Sequence, residues 1–90
     1  MITISALYEG KVQGVGFRSS VLTLAKGYEV TGWVKNHADG RVEVFATGDA
    51  AEVEEFLQAI RESHLAGHIE HENVTPANSE SGLKGFRIIS

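Results

Sequence analysis

Residues 30–47 constrain the fold more than any other stretch of this 90-residue chain. Val30-Thr31-Gly32-Trp33-Val34-Lys35-Asn36 reads as a strand. In residues 41–47, Val42, Val44 and Ala46 alternate against Arg41, Glu43 and Phe45. Successive strand side chains point to opposite faces, so this pattern marks one buried and one open face. Between the two runs lies His37-Ala38-Asp39-Gly40, and Asp-Gly supplies the positive φ that a tight hairpin turn requires. A chain with this hairpin must build a sheet around it.

The flanking sequence supplies the rest of the layers. Residues 2–9 place Ile2, Ile4, Ala6 and Tyr8 on one face and Thr3, Ser5, Leu7 and Glu9 on the other, a half-buried strand. Val21, Leu22, Leu24 and Ala25 predict a short helix starting at Ser19-Ser20 and ending near Tyr28, since Gly27 weakens its last turn. Asp49-Ala50-Ala51-Glu52 reads as a capping box. Val53, Phe56, Leu57 and Ile60 then recur at helical spacing and carry a second helix to about Ser63. Residues 64–82 are poor in pattern: Ile69 and Val74 suggest a short strand, and Pro76 to Gly82 a polar loop. Gly85-Phe86-Arg87-Ile88-Ile89 forms a last strand. The expected fold is therefore α+β, a ferredoxin-like βαββαβ sandwich in one domain, residues 1–90. Its antiparallel sheet carries both helices on one face, the first and third strands in the middle, and a short extra C-terminal strand.

Between the first strand and first helix runs Gly10-Lys11-Val12-Gln13-Gly14-Val15-Gly16-Phe17-Arg18. Its three glycines permit positive φ and let backbone N–H groups converge on an external group. The helix start that follows has unpaired N–H groups and a dipole favouring an anion. Arg18 adds a planar, permanently charged fork that fits two phosphate oxygens. The candidate anion loop is Gln13, Gly14, Val15, Gly16, Phe17 and Arg18, with Phe17 anchoring it to the core. The plain alternative is a glycine-rich turn with a solvated arginine.

Charge narrows the partners. The net charge of −4 argues against a general nucleic-acid or membrane-surface binder. Residues 10–41 nevertheless carry five basic groups against two acidic ones, while the remainder carries three against ten. A local positive field on an acidic body suits a small anion. The absence of cysteine excludes disulfides, thiolate metal sites and cysteine nucleophiles. No run approaches the roughly 20 apolar residues of a membrane helix, and Met1-Ile2-Thr3-Ile4-Ser5 lacks the pattern of a signal peptide. The cytoplasm is the expected location. His64, His68 and His71 could be weighed as a metal set, but Gly67 interrupts any shared helix face and a surface cluster is expected.

The segment GKVQGVGFR closely resembles the signature of the acylphosphatase family. Thr31-Gly32-Trp33-Val34-Lys35-Asn36 and Asp39-Gly40-Arg41-Val42-Glu43-Val44 look like its second signature. The resemblance implies a ferredoxin-like fold and hydrolysis of the carboxyl–phosphate bond of a small acyl phosphate. It implies that the glycine loop and Arg18 hold the phosphoryl group and that Asn36 orients the attacking water, with no metal and no cofactor. A monomer is expected. Read alone, Asn36 is a turn-starting residue bonding its own backbone. Lys11 and Lys35 read as exposed strand ends and Trp33 as sheet packing. The chain departs from the family in having Glu29 where a glycine is common, with Gly27 two positions earlier, and in lacking a proline-rich approach to the fourth strand. The rival reading is a non-catalytic phosphate- or acyl-phosphate-binding module on the same fold. A fragment of a larger maturation protein is disfavoured by a 90-residue chain with its own Met1. An RNA-binding module is disfavoured by the lack of paired strand aromatics and a basic surface.

Overall fold

The computed structural model describes residues 1–89. Its elements are β1 (Ile2–Gly10), α1 (Phe17–Ala25), β2 (Val30–Asn36), β3 (Val42–Gly48), α2 (Ala50–Arg61), a 3₁₀ turn (His64–His68), β4 (Ile69–Pro76) and β5 (Phe86–Ile89). The sheet order is β4-β1-β3-β2-β5, so β1 and β3 pair side by side within it as expected.

One face of the sheet makes the core. Ile4, Ala6 and Tyr8 of β1, Val30 and Val34 of β2, and Val42, Val44 and Ala46 of β3 pack against both helices. From the helices come Val21 and Ala25 of α1 and Val53, Phe56, Leu57 and Ile60 of α2. The open face keeps polar pairs such as Thr3 with Thr47 and Ser5 with Glu43, beside Trp33 stacked on Phe45 at 5.0 Å. The tryptophan packs on the sheet, as its place in the alternation predicts.

Several boundaries differ from the sequence reading, each for a local reason. Helix α1 begins at Phe17 rather than Ser19 and ends at Ala25 rather than Tyr28. Burial of the Phe17 ring against Tyr8 (5.3 Å between centroids) draws the first turn inward, with Gly16 as N-cap. Asp49 precedes α2 but makes no side-chain capping bond, and Glu52 accepts instead from the Glu29 amide at 2.7 Å. The capping box is therefore replaced by a tie between α2 and the start of β2. A cap is worth about 0.5–2 kcal/mol, whereas each fully buried Leu, Ile, Val or Phe contributes about 1.5–3 kcal/mol. The four buried residues of α2 hold it without the cap. Strand β4 spans eight residues rather than a short piece, paired along β1 with an irregularity at Glu9/Gly10. Strand β5 pairs parallel to β2, which makes the sheet mixed rather than wholly antiparallel. Parallel neighbours need a long crossover, and residues 37–85 provide it.

Candidate functional site

The glycine loop, the N-terminus of α1 and the end of β2 meet at one end of the sheet. Gly14 and Gly16 have φ of 79° and 77°, the left-handed region that a side chain strains to adopt. These two turns reverse the chain between β1 and α1 while Val12 and Phe17 plunge into the core on either side. Val15 packs partly against that core as well. The loop is thus pinned by its apolar residues and leaves its backbone free.

That backbone carries unused donors. The first amide of the helix to find a carbonyl is that of Ser20, bonded to Gly16 O at 3.0 Å. Among the described residues, the N–H groups from Gly14 to Ser19 donate to no carbonyl or side chain. Arg18, at the second position of α1, likewise has no ion-pair partner among the described residues. Aligned free amides, a helix N-terminus and one guanidinium form a donor set complementary to a multiply charged anion.

The opposite wall comes from the β2–β3 hairpin. Its turn is closed by His37 N–H donating to Arg41 O at 2.8 Å and Gly40 N–H to His37 O at 3.1 Å. Asp39 accepts from the Arg41 amide and guanidinium, and that amide, then the guanidinium, hold the carboxyl below its usual range. Glu43 bonds His37 Nε2 at 2.7 Å and Ser5 Oγ at 2.6 Å, bracing the turn from the open face. The hairpin therefore presents Asn36, the last residue of β2, on a stiff support. Asn36 Oδ1 is buried and has no hydrogen-bond partner among the described residues. A buried acceptor left unpaired costs about 1–3 kcal/mol, so its persistence calls for a role.

These walls enclose a pocket of about 210 Å³ lined by Val12, Gln13, Gly14, Gly16, Phe17, Arg18, Ser19, Asn36 and Ile88. The pocket brings together Arg18, Asn36 and every other residue of the predicted loop except Val15. Three lining residues lie outside the predicted set of 13–18 and Asn36. Val12 and Ser19 extend the loop by its ends. Ile88, 38% exposed, arrives from β5, whose parallel pairing no local pattern signals. The pocket is smaller than the about 300–1,000 Å³ of sites that enclose drug-sized ligands.

The other sequence candidates fall elsewhere. Lys11 is exposed and Lys35 half-buried on β2, and neither lines the pocket. His64 Nε2 pairs with Ser20 Oγ at 3.2 Å, while His71 lies exposed on β4. Among the described residues no three His, Cys, Asp or Glu side chains converge as a metal site would require. No helix of the described residues is long and apolar enough to cross a membrane.

Sequence and structure comparisons agree with each other. The sequence model of the acylphosphatase family matches residues 4–88. An acylphosphatase of Bacillus velezensis is 39% identical over 92 aligned positions, covering 100% of this chain and 97% of the relative. The crystal structure of acylphosphatase from Bacillus subtilis superposes with a TM-score of 0.89 at 34% identity, covering 100% of both chains. An acylphosphatase from Coxiella burnetii gives 0.84 at 32% identity, covering 98% of this chain and 92% of the other.

Proposed function

Since this chain belongs to the acylphosphatase family, we propose that its pocket hydrolyses acyl phosphates through Arg18, the 13–18 loop and Asn36. The observation that carries this reading is that Asn36, whose Oδ1 is buried and unpartnered among the described residues, lines the same pocket as Arg18 and the loop. The residue that would accept from water thus lines one pocket with a set of donors for an anion.

In this scheme the loop amides and the Arg18 fork bind the three phosphoryl oxygens. Asn36 Oδ1 accepts a hydrogen bond from a water held opposite the acyl oxygen. The oxygen is withdrawn from bulk solvent, and the soft terminal torsion of asparagine lets a small rotation offer it to that water. The water oxygen bonds to phosphorus as the phosphorus–acyl oxygen bond breaks, and the bonding pair leaves with the carboxylate. Both water protons end on the phosphate, one passing to an oxygen of the transferred group. A carboxylate is a good leaving group, so a loose, metaphosphate-like transition state asks little push from the nucleophile. Positioning the water and spreading charge onto preorganised donors can supply most of the acceleration. The scheme assigns no step to a metal or cofactor. A pocket this small grips the phosphoryl end and leaves the acyl end outside.

Hydrolysis of acetyl phosphate in ¹⁸O-labelled water tests the scheme. Label in the phosphate and none in the acetate is expected. Label in the acetate would mean attack at carbon and would overturn the in-line role of Asn36.

A further inference from the structure

Three cavities run in series from the phosphoryl pocket along α1 toward α2. Ser19 lines both that pocket and a groove of about 230 Å³, whose other walls are Ser20, Thr23, Leu24, Ser63 and His64. Leu24 and Ser63 also line the next cavity, about 470 Å³, where the acidic Glu55 and Glu62 stand. An acyl chain leaving the phosphoryl pocket past Ser19 enters this series.

Three of the four hydroxyls of the groove are committed as donors. Ser19 Oγ donates to Gly16 O at 3.1 Å, Thr23 Oγ1 to Ser19 O at 3.0 Å, and Ser63 Oγ to Ile60 O at 2.7 Å. Ser20 Oγ and His64 Nε2 partner each other. A hydroxyl has one proton and two lone pairs, so Ser19 and Thr23 keep acceptor capacity and no free proton. Leu24 offers an apolar floor for methylenes, and the carboxylates beyond add negative potential. Two hydroxyl acceptors beside an apolar floor, leading to carboxylates, select a chain that carries a donor, above all a cationic one.

We infer that this groove is a subsite for acyl chains carrying an ammonium group, so that amino-substituted acyl phosphates are the preferred substrates. The inference rests on the phosphoryl pocket assigned under the proposed function. Its test uses a matched pair, propanoyl phosphate and 3-aminopropanoyl phosphate, with spontaneous hydrolysis subtracted. Wild-type kcat/KM should favour the amino substrate by about tenfold, the scale of one charge-assisted hydrogen bond at a partly wet site. The gain should lie mainly in KM. Combining Thr23→Val with Glu62→Gln should bring the ratio near one and leave propanoyl phosphate turnover unchanged. Equal wild-type values for the two substrates, or a ratio indifferent to the double substitution, would overturn the subsite alone. Failure of the wild type to hydrolyse propanoyl phosphate would overturn the phosphoryl pocket, and the subsite with it.

Discussion

Gln13 donates its side-chain amide to the backbone carbonyl of His37 at 2.8 Å, and the same nitrogen reaches Arg41 O at 3.1 Å. One residue thereby ties the anion loop to both sides of the turn that follows Asn36. The two walls of the pocket come from segments far apart in the chain, and this tether sets their spacing.

Replacing Gln13 by Glu exchanges a donor for an acceptor that faces two carbonyls. The loop should release from the hairpin, and kcat/KM should fall by about tenfold through misplacement of donors against the water. Global stability should change by only about 0.5–1.5 kcal/mol, the net worth of an ordinary hydrogen bond. Steady-state kinetics beside urea unfolding check this. An unchanged kcat/KM would show that the tether does not position the site.

Asn36→Ala separates function from stability. It removes a buried acceptor that has no partner among the described residues, so the melting temperature should hold or rise. Turnover should fall by roughly 10²-fold through loss of water positioning, while inhibition by inorganic phosphate persists. A melting temperature lowered by several degrees would instead make Asn36 a structural residue.

How far these residues could be read in advance depended on what each signal reports. Strands β1, β2 and β3 and the buried stripe of α2 were legible because their alternation and helical spacing follow from burial on one face. Arg18 stood out because it closes the glycine loop, whereas Asn36 stood out only through the resemblance to the family's second signature, since a lone asparagine before a turn reads as a turn starter. Strand β4 was understated, since it lies at the sheet edge and is held by backbone pairing with β1, which leaves little trace in side chains. The parallel return of β5, and with it Ile88 at the pocket, depends on contacts some fifty residues apart. Glu52 looked like half of a capping box because the motif is local, whereas its partner, the Glu29 amide, is not.

Alkaline pH should expose the core hydroxyl of Tyr8. Burial first, then the neighbouring Glu72 that accepts its O–H at 2.8 Å, raises its pKa far above the ordinary 10.0. The folded chain therefore keeps the phenol proton that the unfolded chain loses. Stability should be level below about pH 10 and fall as pH rises beyond it. Tyr8→Phe lacks this linkage and should decline less steeply between about pH 10 and 11 in urea unfolding. Parallel declines for the two proteins would contradict the assignment.

Arg18, free of any ion-pair partner among the described residues, is proposed to hold the phosphoryl group in a pocket needing no metal. The most direct test of that role is phosphate release from benzoyl phosphate in buffer containing EDTA, for the wild type beside Arg18→Ala. Each charge-assisted hydrogen bond lost is worth about 1.5–3 kcal/mol. Two such bonds correspond to a loss of roughly 10²- to 10⁴-fold. Rapid release by the wild type despite the chelator is expected, with release near background by a variant that keeps its circular dichroism. Undiminished release by Arg18→Ala would contradict that role.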